Sequence, residues 1–452
     1  IMFKKLLFLS FLLFAVAITA DAQVTTSSMS GKVTASKEAV IGATVQVVHE
    51  PSGTSYGSIT NIDGRFSLQG MRTGGPYKIT VSYIGYNTAI YEGVNLQLGE
   101  TYNLDIALTE SSEIIDEIVV VGTRTKFSTE KTGATTNINS EQITQLPTIN
   151  RSISDIARLS PYANGMSFAG GDGRSTNFTI DGANFNNNFG LSSALPGGGN
   201  PISMDAIDEV QVVIAPFDVR QTNFIGGGIN AVTKSGTNTF KGTAYTYYRN
   251  QDMRGNRING KDLGGRADES KTTKGFTLGG PIIKNKLFFF VNYEKETTPG
   301  EVIKYRARED GEAAGGMVSR TLKSDMAKVH KHLKDKYDYD AGSYTGFPAD
   351  EENTKILARI DWNIIDGHRL SLRYNKTENT AWNGPNGNSS DTGYRLNNTY
   401  RVGTQSMAFS NSMYSMDNNV TSWSADLNSR FSDKISNQLL FTYTDIQDMR
   451  GS

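Results

Sequence analysis

The 452-residue chain contains no cysteine and only four histidines. Without cysteine it can form neither a disulfide framework nor a thiolate metal site. A zinc hydrolase needs His and Glu ligands around an open metal position, and the four histidines lack a recognisable ligand spacing. They are His49, His330, His332 and His368. The sequence therefore predicts that the chain is not an enzyme and holds no metal or cofactor.

The chain also lacks a large net charge and long apolar runs. The 45 Lys and Arg residues nearly balance the 46 Asp and Glu residues, so nothing indicates nucleic-acid binding. No apolar run reaches the roughly 20 residues that a membrane-spanning helix needs. Residues 1–22 are predicted to be a secretory signal, with Lys4 and Lys5 before the apolar residues 6–17 and a small-x-small site at 20–22. The chain is therefore expected to be exported, and either soluble or inserted as a β-barrel.

Glycine and aromatic residues are abundant instead. The chain has 46 Gly, 20 Tyr and 21 Phe, and its mean hydropathy is −0.39. This profile is typical of turn-rich β proteins, and transmembrane barrels share it because only every second residue of a strand faces lipid.

Residues 27–109 are predicted to form a small β-sandwich, because short alternating runs are separated by turn residues. Four motifs resemble the carboxypeptidase regulatory-like domain, whose name implies no peptidase activity here. They are Gly31-Lys32-Val33, Ile41-Gly42-Ala43-Thr44-Val45, Thr60-Asn61-Ile62-Asp63-Gly64-Arg65-Phe66 and Val81-Ser82-Tyr83-Ile84-Gly85-Tyr86.

A β-branched hexapeptide follows the sandwich, with no visible pairing partner in the sequence. It consists of Asp116, Glu117, Ile118, Val119, Val120 and Val121. Val and Ile favour the extended state, and an unpaired strand can add to the sheet of another protein. Residues 125–136, rich in Thr, Lys and Gly, are expected to be a flexible tether.

Residues 137–235 are expected to form an α/β unit. Residues 140–146 and 151–159 are predicted to be short helices, and residues 178–180 a strand that enters a tight turn at Asp181 and Gly182. Residues 207–214 form a nearly continuous apolar run, which favours a strand buried on both faces.

From residue 236 onward, apolar and polar residues alternate as in membrane strands. Ile356, Ile360 and Trp362, for example, alternate with polar residues such as Arg359 and Asp361. Short turns at 281–286, 365–367 and 432–434 alternate with long polar loops at 250–271, 295–353 and 375–418, which is typical of an outer-membrane barrel. Leu322, Met326, Val329 and Leu333 predict a helix within the longest loop.

Together these segments resemble TonB-dependent outer-membrane receptors of the SusC-like and Oar-like group. The resemblance implies an all-β dominated chain with an N-terminal β-sandwich, an α/β plug domain and part of a transmembrane antiparallel β-barrel, which has roughly 22 strands when complete. The expected domains are a signal peptide (1–22), the sandwich (27–109), the TonB box with its linker (110–136), the plug (137–235) and the N-terminal part of the barrel (236–452). About seven candidate strands can be counted, so we expect the receptor to be about twice this length.

The resemblance also implies a site and partners. The TonB-binding residues would be Asp116, Glu117, Ile118, Val119, Val120 and Val121. The plug apex would contribute Asn184, Phe185, Asn186, Asn187, Asn188 and Phe189 to ligand binding. Partners would be TonB with its inner-membrane energising complex, outer-membrane lipid, and a glycan or peptide ligand.

The location implied is the Gram-negative outer membrane, with the N-terminal domain in the periplasm. A SusD-like surface lipoprotein stays open as a further partner, because residues 217–227 look more Oar-like than SusC-like. A surface adhesin on the same scaffold, without active import, is the alternative function.

Overall fold

The structure is a computed structural model that describes residues 24–111, 118–121, 134–148, 150–187, 194–214, 216, 218, 221, 225–262, 269–301, 303, 305–384 and 403–451. The expected signal peptide lies outside these residues. For residues 118–121 only the backbone is described.

Residues 27–108 form two sheets packed face to face. In chain order their strands are β1 (Ser27–Ala35), β2 (Glu38–Ala39), β3 (Thr44–His49), β4 (Thr54–Ile59), β5 (Arg65–Met71), β6 (Gly74–Ser82), β7 (Ala89–Leu96), β8 (Thr101–Asn103) and β9 (Ile106–Leu108). One sheet has the order β2-β1-β5, with β8 and β9 also paired to β1, and the other has the order β7-β6-β3-β4. Alternate residues face a shared core that contains Val33, Val45, Phe66 and Tyr77, so the predicted sandwich is present.

The second sheet gains a fifth strand from the hexapeptide. Strand β10 (Ile118–Val121) pairs in parallel with β7 and ends this sheet. Its sequence is β-branched throughout, which favours the extended state.

A five-stranded sheet with two short helices follows. Its elements are β11 (Thr135–Asn139), α1 (Ser140–Gln145), α2 (Ile153–Ala157), β12 (Ala163–Asn164), β13 (Ser167–Phe168), β14 (Asn177–Ile180), β15 (Ala183–Asn184), β16 (Ile207–Val213) and β17 (Gly228–Thr233). The strand order is β11-β16-β17-β14-β15, with β12 and β13 as a separate hairpin. Asn139 caps α1 in a capping box with Gln142. Strand β17 is buried at every position, and β16 at all but one.

The remaining described residues form an antiparallel sheet of seven strands with short strands in its loops. In chain order they are β18 (Lys241–Asn250), β19 (Arg257–Ile258), β20 (Lys261–Asp262), β21 (Ser270–Ile283), β22 (Leu287–Thr298), β23 (Arg306–Arg308), β24 (Val318–Leu322), α3 (Lys323–Tyr337), β25 (Glu351–Ile365), β26 (His368–Asn383), β27 (Tyr414–Ser432) and β28 (Ile435–Arg450). The seven-stranded order is β18-β21-β22-β25-β26-β27-β28. Three-residue 3₁₀ helices begin at Gly173, Met204, Gln251 and Ser410.

The seven-stranded sheet is polar on its covered face and apolar on its open face. Lys355 and Asp361 are buried, whereas Ile360 and Trp362 are exposed. A soluble sandwich has the opposite arrangement, so the alternation confirms the membrane-strand pattern. Turns of a few residues join β21 to β22, β25 to β26 and β27 to β28, and long loops make the other connections, as the sequence predicted. Helix α3 confirms the predicted loop helix.

No helix in the described part of the chain is both long and apolar enough to cross a bilayer.

Candidate functional site

Strand β10 is the only described part of the predicted TonB-binding hexapeptide. Its backbone is in register with β7, with Ile118 opposite Ala89 and Val121 opposite Glu92. Asp116 and Glu117 lie outside the described residues. Among the described residues, only β7 pairs with β10, so the other edge of β10 carries unpaired backbone N–H and C=O groups. Residues Ile118–Val121 therefore form an edge strand of this sheet.

The pairing partner of the hexapeptide was missed from the sequence. Strand β7 contains Gly93 at φ +74°, and its register against β6 shifts nearby. This irregularity interrupts the period-2 pattern by which a strand is recognised. The alternating apolar residues Val94 and Leu96, both buried, were the sequence signal from which strand β7 could have been recognised.

The predicted ligand residues follow a tight hairpin between β14 and β15. Asp181 has φ +44° and Gly182 has φ +78°, which is the backbone of a two-residue primed turn. Asn184 ends β15 and is exposed. Phe185 is fully buried in the core of the β11–β17 unit, edge-on to Phe178 at a ring-centroid distance of 6.2 Å.

Asn186 and Asn187 are engaged within the chain. The Asn186 side chain accepts from the Phe178 N–H at 2.6 Å and donates to Asn177 Oδ1 at 2.7 Å, and Asn187 Nδ2 donates to the Ala194 carbonyl at 3.3 Å. Asn188 and Phe189 lie outside the described residues. Ligand contact by these six residues stays a prediction.

The β11–β17 unit is fixed to the seven-stranded sheet through Glu294. Ser203 Oγ donates to Glu294 Oε2 at 2.8 Å, and Lys355 Nζ lies 2.8 Å from Glu294 Oε1. Tyr245 also donates to Oε2, at 2.9 Å. Lys355 and Glu294 are almost completely buried. A buried, paired carboxylate with these donors is well satisfied. Glu294 therefore links a loop of the unit to the seven-stranded sheet β18-β21-β22-β25-β26-β27-β28, called the wall below.

A second contact is a buried ionic cluster centred on Asp361. Arg359 Nε lies 2.9 Å from Asp361 Oδ2, and Arg359 Nη1 lies 3.5 Å from Asp181 Oδ1. Arg373 Nε lies 3.5 Å from Asp181 Oδ2. Asp181 also accepts from the Thr233 N–H at 2.9 Å. The hairpin turn at Asp181 is therefore held against the wall by two arginines.

The N-terminal sandwich joins the same cluster. Arg72 Nη1 lies 3.4 Å from Asp361 Oδ1. Nearby, Asn363 Nδ2 donates to Thr54 Oγ1 at 3.0 Å, and Arg369 Nη1 donates to the Tyr56 hydroxyl at 3.1 Å. These contacts lie at the strand ends joined by short turns, so the sandwich docks on the short-turn rim of the wall.

A cavity of about 780 Å³ lies where the sandwich, the β11–β17 unit and the wall meet. His49, Arg72 and Arg369 line it. Burial, together with the two arginine charges, lowers the pKa of His49 to about 3. Because of this lowered pKa, the imidazole is neutral at physiological pH. Its Nδ1 lies 2.7 Å from Ser52 Oγ.

Glu209 of β16 joins the unit to the sandwich. Its Oε1 accepts from the Leu98 N–H at 3.0 Å and from Asn137 Nδ2 at 2.9 Å. Leu98 itself packs with Val24 and Val232. Burial raises the pKa of Glu209 to about 7 although both hydrogen bonds favour the ionised form. The contact between sandwich and unit therefore contains a group that titrates near neutrality.

Two stretches of the chain match known domain families. Residues 28–109 match the carboxypeptidase regulatory-like domain, and residues 232–301 match the outer membrane beta barrel domain. The TonB-dependent transporter Oar of Myxococcus xanthus is 23% identical over 344 residues, which cover 71% of this chain and 30% of Oar. The TonB-dependent receptor SusC of Bacteroides thetaiotaomicron is 32% identical over 113 residues, which cover 25% of this chain and 10% of SusC.

The chain is a homologue of TonB-dependent outer-membrane receptors. The matched domains and relatives locate it to the Gram-negative outer membrane. It spans 30% of the length of Oar. These relatives are transporters and receptors, which are not enzymes, and they indicate no catalytic activity.

Two solved structures also align with part of the chain. The outer membrane transporter YddB from Escherichia coli aligns with a TM-score of 0.46 and 14% identity, covering 70% of this chain and 39% of YddB. The siderophore receptor PirA from Pseudomonas aeruginosa aligns with a TM-score of 0.43 and 14% identity, covering 71% of this chain and 42% of PirA.

Proposed function

We propose that the chain belongs to a receptor that imports a large nutrient, a glycan or a peptide, across the outer membrane. The work comes from the proton gradient of the inner membrane and is delivered by TonB. TonB pairs with Asp116, Glu117, Ile118, Val119, Val120 and Val121 by strand addition. The observation that carries the proposal is the open edge of β10, just ahead of a unit that is held against the wall strands by Glu294 and Asp181.

In this proposal the chain has the domains that its sequence predicts. The sandwich (27–109) lies in the periplasm, the box and linker (110–136) carry the TonB site, the plug (137–235) blocks the lumen, and residues 236–452 begin the barrel. Residues 184–189 would form the plug apex, with Asn184 exposed and Phe185 buried in the core. The plug contacts the wall through ion pairs and hydrogen bonds, such as those of Asp181 and Glu294, and through apolar side chains such as Phe290. A pull can displace part of the plug without unfolding the wall, because local stability is not uniform.

Val119→Pro tests this function, because proline removes a backbone donor and cannot complete a strand ladder. The matched control is Thr129→Pro, the same substitution in the linker outside the box. Binding of the purified periplasmic domain of TonB to the complete receptor should be lost in Val119→Pro and kept in Thr129→Pro.

Uptake is measured with a fluorescent oligosaccharide and a fluorescent oligopeptide, each with and without a protonophore. Val119→Pro should abolish protonophore-sensitive uptake and leave surface binding intact. Unchanged TonB binding and uptake in Val119→Pro would refute the transporter and favour the adhesin. Co-purification in mild detergent then separates a SusC-like receptor, which brings a surface lipoprotein with it, from an Oar-like receptor, which does not.

A further inference from the structure

Strand β10 belongs to the sandwich in the structure. It is the terminal strand in the order β10-β7-β6-β3-β4, and all four of its residues are in register with Ala89–Glu92 of β7. The proposed TonB-binding strand is thus already held in the extended conformation that strand addition requires.

Pairing with β7 uses only one edge of β10. In a strand, successive residues direct their backbone N–H and C=O groups to opposite sides. About half of the backbone groups of β10 therefore face β7, and the other half face away from the sheet. A partner strand can use this second set while the first stays bonded.

We propose that TonB adds its strand to the outer edge of β10 while β10 remains paired with β7, so that the sandwich forms part of the docking surface. This inference rests on the proposed function of the box. The resulting sheet has six strands, and the partner contributes the outermost one.

Two features favour this mode of docking. The ladder with β7 restricts β10 before the partner arrives, so less ordering entropy is lost on binding. Asp116 and Glu117 immediately precede β10, so a partner strand with basic flanking residues would match the charge at this edge.

A disulfide between β10 and β7 tests the proposal. Val121 lies opposite Glu92, and the spacing of neighbouring strands is within disulfide range. Because the chain has no cysteine, Glu92→Cys combined with Val121→Cys places a single cysteine pair in these 452 residues. The matched control is Gln46→Cys with Gly57→Cys, a facing pair of β3 and β4 on the far side of the same sheet.

The probe is the purified periplasmic domain of TonB, titrated onto the detergent-solubilised receptor before and after reduction. The oxidised receptor should bind the TonB domain as tightly as the reduced one, or up to about tenfold tighter, because the disulfide removes part of the entropy cost of ordering β10. Loss of binding on oxidation, restored by reduction and absent from the control pair, would show that the box must leave β7. Failure of the pair to cross-link would show that the β10–β7 pairing does not form. Either result overturns the proposal.

Hydrogen exchange on the unmodified receptor gives an independent readout. Addition of the TonB domain should slow exchange in β10 and leave the protection of β7 unchanged, whereas faster exchange in β7 would contradict the proposal. If Val119→Pro leaves TonB binding unchanged, the proposed function has failed. If both Val119→Pro and the disulfide between β10 and β7 abolish TonB binding, only this inference has failed.

Discussion

Arg72 and Asp361 form an ion pair between the N-terminal sandwich and strand β25 of the wall, with 3.4 Å between Nη1 and Oδ1. Both side chains are almost completely buried, and Asp361 also binds Arg359 and Ser371. Arg72 and Arg359 therefore share the Asp361 carboxylate. The ion pair that fixes the sandwich to the rim uses a carboxylate that also binds an arginine of the wall.

Asp361→Asn should destabilise the docked sandwich by about 3–5 kcal/mol, because two buried guanidinium groups lose their common carboxylate. Arg72→Met should cost less, since Asp361 keeps Arg359. Hydrogen exchange of the amides next to Arg72 measures both effects. Lys78→Met is the control, because it removes an exposed ion pair with Glu92 that contributes about 1 kcal/mol or less. Equal effects of the three substitutions would show that the cluster does not hold the sandwich.

Lys355→Met should loosen the contact between the β11–β17 unit and the wall, because it leaves Glu294 buried without its cation, at a cost of about 3–5 kcal/mol. Replacing both residues, with Lys355→Met and Glu294→Met, should be less damaging than Lys355→Met alone, since no unpaired charge remains. The free energy of unfolding in denaturant, compared as a double-mutant cycle, checks this. Additive losses would show that the two side chains act independently.

Glu209→Gln should stabilise the contact between the β11–β17 unit and the sandwich at pH 8 and have little effect at pH 4. The folded-state pKa of about 7 exceeds the usual value, so the native state holds the proton more tightly and stability falls as pH rises from about 4.5 to 7. The full difference is on the order of 3 kcal/mol.

Gln retains the acceptor for the Leu98 and Asn137 donors, so the two hydrogen bonds survive the substitution. The measurement is the difference in thermal unfolding between Glu209→Gln and the parent at each pH, because the titration of His49 cancels in that difference. The exposed Glu141→Gln is the control. A pH-independent difference would contradict the assignment.

Gly31→Ala should destabilise the sandwich by about 1–3 kcal/mol through overpacking. A Cβ at Gly31 would lie 1.9 Å from the Leu104 carbonyl oxygen, a backbone atom that cannot move aside cheaply. Gly57→Ala is the matched control, since its Cβ would meet nothing closer than 3.8 Å. Thermal unfolding of the two variants should differ clearly, and similar melting temperatures would rule out close strand packing at Gly31.

The sequence predicted the elements whose signals are local. Alternation over long stretches predicted the wall strands, and helical spacing predicted α3. The 207–214 run corresponds to β16, where apolar residues dominate both faces. The alternating run at residues 58–62 predicts a strand there, but the observed strand is β4, Thr54–Ile59, because that segment alternates equally well.

The contacts that form the candidate site could not be predicted in the same way. Asp181 and Arg359 are separated by 178 positions, and Arg72 and Asp361 by 289, so no short-range pattern brings them together. Phe185 and Asn186 were selected by their place in a family pattern, which does not reveal that Phe185 is fully buried. The partner of β10 was missed because Gly93 disturbs the pattern of β7.

The docking of the sandwich on the short-turn rim has a mechanical consequence. In the proposed mechanism, a pull on β10 has two paths. One runs through residues 110–117 and the ladder with β7 into the sandwich, and the other runs through residues 122–134 into the β11–β17 unit. The first path is shorter in chain length and ends at the contacts between Arg72 and Asp361, Asn363 and Thr54, and Arg369 and Tyr56. In the proposed mechanism, a force on β10 therefore loads these three contacts between the sandwich and the wall.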